Sequence, residues 1–226
     1  MTEQASAIVE SISVVTLDPP VRGFLHRPAV PTGQGLVFTH GAGGNCRSPW
    51  LITVANAFAG HGFAVLRCDL PFRQTRSFGP PRPGDAARDQ EGLKRAVEML
   101  QKIVPGNLFL GGQSYGGRQA SMLCAEQPHL VKGLLLTSYP LHPPGKPNQL
   151  RTQHFPKLEI PVLFVQGTRD PFASIEEISA AIQLIPAKTK LLPVEGAGHD
   201  LKIAKAEVAR GLLESMVQNL RGLTGQ

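Results

Sequence analysis

From Gly35 onwards the chain alternates between two hydrophobic periods. Short runs apolar at every position alternate with longer stretches whose apolar residues recur every three or four positions. The first kind reads as strands buried on both faces of a parallel sheet, the second as helices covering it. The strand-like runs are Gly35–Thr39, Phe63–Cys68, Asn107–Gly111, Val131–Thr137, Pro161–Gln166 and Lys190–Val194. The helix-like stretches are Trp50–His61, Asp85–Val104, Tyr115–Gln127, Ser174–Ile185 and a last one from Leu201 to Leu220. Two further β-prone stretches, Ala7–Leu17 and Val21–Arg27, precede them and are separated by Asp18-Pro19-Pro20, which predicts an antiparallel edge hairpin. Strict alternation of strand and helix predicts an α/β fold, a mostly parallel twisted sheet with helices on both faces.

A length of 226 residues suits one domain over positions 1–226, and 42% hydrophobic against 18% charged residues supplies a core and excludes a disordered chain. The formal charge of +6 is spread along the sequence, and aromatics are only 6%, so no basic run interleaved with stacking rings points to nucleic acid. No stretch approaches the roughly 18 apolar residues of a membrane span. The N-terminal segment carries Glu3 and Glu10 where a signal peptide needs basic residues and an apolar run. Cys46, Cys68 and Cys124 are odd in number and widely spaced, which suits a reducing, cytoplasmic setting. Oligomeric state has no signature here.

Two proline-rich stretches, Pro71–Gly84 and Tyr139–Lys157, break the alternation and read as loops. In open α/β sheets, loops at the carboxyl ends of strands build the ligand site.

Gly112-Gln113-Ser114-Tyr115-Gly116 has the form G-x-S-x-G. The string alone is a weak signal; its position between an apolar strand and a helical pattern is specific. A strand turning directly into a helix puts Ser114 in strained backbone geometry with its hydroxyl projecting. Side chains at Gly112 and Gly116 would meet neighbouring backbone.

A serine hydroxyl needs a base, and the base needs a third group to orient it. Around such an elbow the chain order is Ser, then Asp or Glu, then His. Asp170 follows the strand ending at Gln166, and His199 follows the strand ending at Val194. Ser114 is thus the expected nucleophile, His199 the base and Asp170 the orienting acid. His26, His61, His129, His142 and His154 follow no late strand. Glu195 competes with Asp170 for the acid role but shares a loop with the base, and Asp200 suits a helix cap.

His40-Gly41-Ala42-Gly43-Gly44 closes the first central strand with small residues that let backbone N–H groups approach a substrate oxygen. The N–H groups of Tyr115 and Ala42 are the expected oxyanion donors. His40 is expected to brace that loop by hydrogen bonding. A phosphate-binding reading fails because no GK[ST] follows and G-x-G-x-x-G is absent.

The motifs HGAGG, GQSYGG, GTRDPF and GAGHD, in that order, resemble the α/β-hydrolase superfamily over nearly the whole chain from Val21. They are similar to small bacterial dienelactone-hydrolase-like proteins. They are closer still to a compact branch with the hydrolase-like domains of a mammalian testis-expressed protein and a chromatin-complex subunit. The resemblance implies the triad Ser114, Asp170 and His199 and an oxyanion hole at Ala42 and Tyr115. True dienelactone hydrolases have cysteine at the elbow, so their lactone specificity does not carry over to Ser114. Tyr139–Lys157 is too short and proline-rich for a helical cap, which implies an open site roofed by the two proline-rich loops.

The expected function is a cytoplasmic serine hydrolase acting on a small-molecule carboxylic ester or thioester, with no metal or other cofactor. The alternative is a catalytically weak hydrolase-fold module that binds another protein. Substrate contacts are sought at Gln113, Arg73, Tyr139 and Phe172. Arg73 or Arg76 holds an anionic substrate group, or else ties the long loop to the body. Tyr139 and Phe172 wall an acyl pocket, or else simply pack.

Overall fold

The computed structural model describes residues 7–225. Among them, eight strands form one sheet: β1 (Ile8–Val14), β2 (Val21–Arg27), β3 (Gln34–Thr39), β4 (Phe63–Cys68), β5 (Leu108–Gln113), β6 (Gly133–Thr137), β7 (Val162–Gly167) and β8 (Thr189–Val194). Their spatial order is β1-β2-β4-β3-β5-β6-β7-β8. The β1–β2 and β2–β4 pairs are antiparallel and every other pair is parallel. The expected edge hairpin is present, with Ile8 opposite Arg27 and Val14 opposite Val21.

Six α-helices are found among the described residues: α1 (Pro49–Gly60), α2 (Pro71–Thr75), α3 (Asp85–Gln101), α4 (Tyr115–Glu126), α5 (Ile175–Ala181) and α6 (Ala206–Leu223). Side chains alternate across the central strands, as a period of two requires. Val37, Leu110, Leu136 and Phe164 enter the core layer under α3, α4 and α5, with Leu93, Leu123 and Ile178. Leu36, Phe109, Leu135 and Leu163 enter the opposite layer under α1 and α6, with Phe58 and Met216. All residues of β3, β4, β6 and β7 are buried, whereas the edge strands β1 and β8 are mostly exposed or half-buried.

Three sequence expectations needed correction. Pro71–Gly84 is not wholly a loop, because Pro71 opens the short helix α2, where a missing N–H costs nothing. The last helix starts at Ala206 rather than Leu201: Leu201 is buried with φ +51° and its N–H closes a turn on Gly198. The stretch expected as one helix over Ser174–Ile185 is α5, capped by a reciprocal Ser174–Glu177 box, followed by a single 3-10 turn at Ile182–Leu184.

The chain passes from β3 to β4 on one side and returns to β5 on the other. Ligands of open α/β sheets bind at such a reversal, beyond the carboxyl ends of the strands. The loops after β3, β5, β7 and β8 carry His40–Gly44, Ser114, Asp170 and His199. Among the described residues, no helix is long and apolar enough to cross a membrane.

Candidate active site

One residue, Ser114, separates β5 from α4, with φ 51° and ψ −118°. That backbone is strained for a side-chain-bearing residue, and packing holds it there. The Ser114 N–H donates to Thr137 O at 2.9 Å. A Cβ at Gly116 would stand 2.4 Å from His40 O, and one at Gly112 2.9 Å from Thr39 O. The two strand ends meet so closely that only glycine fits.

With the proton on Nδ1, His199 donates to Asp170 Oδ2 at 2.8 Å and accepts from Ser114 Oγ at 2.8 Å on Nε2. The Asp170 side chain is fully buried and that of His199 is 26% exposed. This is a carboxylate shielded from water beside an imidazole open to the cleft. Asp170 is held on both oxygens, by Gln166 Nε2 at 2.9 Å and by the Phe172 N–H at 2.9 Å. The Phe172 ring lies against the His199 ring, with centroids 4.2 Å apart. Glu195 is exposed. Asp200 pairs with Lys202 at 3.0 Å and does not cap α6, whose N-cap is Lys205.

The loop after β3 runs directly past Ser114: a Cβ at Gly41 would lie 3.3 Å from Ser114 Cβ. His40 is fully buried, accepts the Leu70 N–H on Nε2 at 3.1 Å, and donates from Nδ1 to Gly41 O at 2.8 Å. Burial holds this imidazole below its ordinary pKa. Gly44 N–H reaches the same carbonyl at 3.0 Å. A trans peptide points its C=O and N–H in opposite directions, so anchoring Gly41 O aims the Ala42 N–H. Among the described residues, no turn, loop or cap hydrogen bond uses the N–H of Ala42 or Tyr115. Ala42 and Tyr115 both line the cleft, together with Ser114.

The cleft has a volume of about 840 Å³ and its walls include Gln113, Phe172, Pro80, Pro140, Arg118 and Arg151. Both proline-rich loops therefore contribute to it. Gln113 reaches His199 O with Nε2 at 3.4 Å. Tyr139 does not wall the cleft; it is fully buried against Phe155 and Phe164, and its hydroxyl donates to Arg151 O at 2.8 Å.

Arg73 does not face the cleft either. Its donors go to Ala42 O at 2.7 Å, Gly44 O at 2.8 Å, Gly79 O at 2.9 Å and Arg76 O at 3.2 Å. It ties the loop after β3 to the first proline-rich loop. Arg76 pairs with Asp85.

Two supports were not singled out from sequence. Gln166 bridges Asp170 and the Tyr139 N–H, and its signal was a polar side chain ending an apolar strand run. The Tyr115 hydroxyl donates to Asp89 Oδ2 at 2.8 Å, beneath the elbow. Burial raises the Asp89 carboxyl to about 6. Among the described residues, no group of three or more His, Cys, Asp or Glu is placed to hold a metal ion.

A family model described as an alpha/beta hydrolase domain matches residues 32–221. The chain belongs to the α/β-hydrolase family. Solved α/β hydrolases show the same fold at low identity. A dienelactone hydrolase from Anabaena variabilis superposes with a TM-score of 0.74 at 21% identity, covering 95% of this chain and 97% of that one. An alpha-beta serine hydrolase homologue from Coxiella burnetii gives 0.73 at 20% identity, covering 93% and 97%. An α/β serine hydrolase without lid from Xanthomonas campestris gives 0.73 at 17% identity, covering 94% of each. This α/β hydrolase also has no cap among its described residues, since Tyr139–Lys157 holds only a 3-10 turn at Phe155–Lys157.

Proposed function

We propose that this α/β hydrolase cleaves a carboxylic ester or thioester through an acyl-enzyme on Ser114. The observation that carries the reading is the unbroken chain from Ser114 Oγ through His199 to Asp170, with both contacts at 2.8 Å. In acylation Ser114 Oγ attacks the carbonyl carbon while His199 Nε2 takes its proton. As the tetrahedral adduct collapses, the C–O or C–S bond breaks and His199 returns the proton to the departing alcohol or thiol. Water then attacks the acyl-enzyme with His199 again as base, releasing the acid and restoring Ser114. Asp170 holds the tautomer and stabilises the imidazolium.

The oxyanion of each adduct is received by the N–H groups of Ala42 and Tyr115. Losing one such donor typically lowers kcat by about 10²–10³-fold. His40 acts here as a positioning residue, through Gly41 O. Every step uses groups of the chain and water. A reducing, cytoplasmic setting is supported by three buried, unpaired cysteines.

The test compares wild type with Ser114→Ala on short p-nitrophenyl esters. Turnover is expected to fall by roughly 10⁴-fold or more with the fold retained. Equal turnover by the two proteins would end the proposal.

A further inference from the structure

Arg118 and Arg151 reach the cleft from separate elements, the first turn of α4 and the loop between β6 and β7. Four other arginines, Arg27, Arg76, Arg88 and Arg95, each face a carboxylate. Arg118 and Arg151 take part in no ion pair among the described residues. The Arg118 Nε is buried without a hydrogen-bond partner. Arg151 uses Nη1 on Pro140 O at 3.2 Å, and the other nitrogens of its guanidinium have no described acceptor. The two cations feel each other. Burial and then Arg118 hold Arg151 below its ordinary pKa, and the same two causes push His154 down to about 4.

Two like charges on the wall of a largely apolar cleft are costly unless something negative sits between them. The nearby acids are committed elsewhere. Asp200 shares the cleft but pairs with Lys202, and Asp89 is engaged by the Phe72 N–H at 3.0 Å and the Tyr115 hydroxyl. Arg73, the other arginine considered for this task, has spent its donors on carbonyls. Guanidinium forks match carboxylate and phosphate oxygens, and a pair of them lining the same cleft as Ser114 offers one seat.

We infer that the cleft selects esters whose far end carries a carboxylate or phosphate, held between Arg118 and Arg151 while the ester carbonyl faces Ser114. This rests on the reading of Ser114 as the nucleophile. The shared chemistry is a terminal oxyanion, and the two sources are separated in the assay.

In pH-stat assays, monoethyl adipate is compared with ethyl hexanoate, and ethyl 6-(phosphonooxy)hexanoate with the uncharged ethyl 6-hydroxyhexanoate. Wild type is expected to favour the anionic member of at least one pair by about tenfold or more in kcat/KM. Arg118→Gln and Arg151→Gln are each expected to cut that ratio by about tenfold, with Arg118→Lys restoring part of it. Because the ratio is read within one preparation, loss of folded protein cancels. The favoured pair names the source. A ratio near one in wild type, or one unchanged in both Gln variants, overturns the inference and leaves the Ser114 reading intact. Undiminished turnover by Ser114→Ala overturns that reading instead. A measurement independent of turnover accompanies these: adipate or inorganic phosphate is expected to raise the Tm of wild type and not of the double Gln variant. Equal shifts in both proteins count against the arginine seat.

Discussion

The His199 imidazole accepts from Ser114 Oγ across a separation of 85 residues, and the contact exists because the parallel strands β5 and β8 finish at the same carboxyl end of the sheet. The intervening strands β6 and β7 place Asp170 on the far side of the ring. What holds this arrangement is close backbone packing as much as hydrogen bonding.

Gly116→Ala and Gly41→Ala separate those two contributions. A Cβ at 116 meets the His40 carbonyl at 2.4 Å, so strand ends must part. Chemical denaturation is expected to show a loss of about 2 kcal/mol or more. A Cβ at 41 presses instead on Ser114 at 3.3 Å. That variant is expected to keep near-native stability and lose about tenfold or more in kcat, since small displacements of reacting groups are expensive. The reverse pattern would show the packing account to be wrong.

Asp170→Asn tests the orienting role. An amide donor facing Nδ1 favours the wrong imidazole tautomer, so kcat is expected to fall by roughly 10³–10⁴-fold with little change in KM. Steady-state kinetics decide it. A loss confined to KM would mean that Asp170 merely shapes the cleft.

The convergence of Ser114, Asp170 and His199 was legible in the sequence because it follows from topology. Each of the three sits one loop beyond an apolar strand run, and chain order supplied the role expected of each. The α/β alternation was equally legible, since Val37 and Leu36 must face opposite layers in a strand covered on both sides. The start of α6 was misread because apolar Leu201 continues the helical period while its backbone turns left-handed. Tyr139 and Arg73 were beyond sequence reasoning for another reason. Whether a loop side chain points into a cleft or beneath it depends on the loop's path, and no periodicity encodes that. The same holds for Arg151.

Arg73→Ala follows from that correction. Its guanidinium joins carbonyls of two loops, so removal is expected to cost about 2 kcal/mol or more in stability. Neutral and anionic esters should lose kcat/KM by the same factor. A rise in KM confined to the anionic ester would restore Arg73 as a substrate contact.

Half-buried His154 and buried Asp89 give pH effects of opposite sign. His154 titrates at about 4 in the fold against 6.5 when free, so the unfolded chain binds its proton first. Its contribution is present above pH 6.5 and is lost as pH falls towards 4. Asp89 titrates at about 6 against 3.8, so its contribution is full at low pH and is lost as pH rises through 6. Denaturation at pH 4.5 and 7.5 measures both. The deficit of His154→Gln relative to wild type is expected to be larger at pH 7.5, and that of Asp89→Asn at pH 4.5. Slopes of the same sign would contradict the assignments.

Labelling with a fluorophosphonate, read by intact mass and peptide mapping, addresses the nucleophile itself. The account requires one adduct per chain, on Ser114, formed rapidly by wild type and slowed at least about 10³-fold in His199→Ala. An adduct on another residue, or equal labelling of folded wild type and Ser114→Ala, would contradict it.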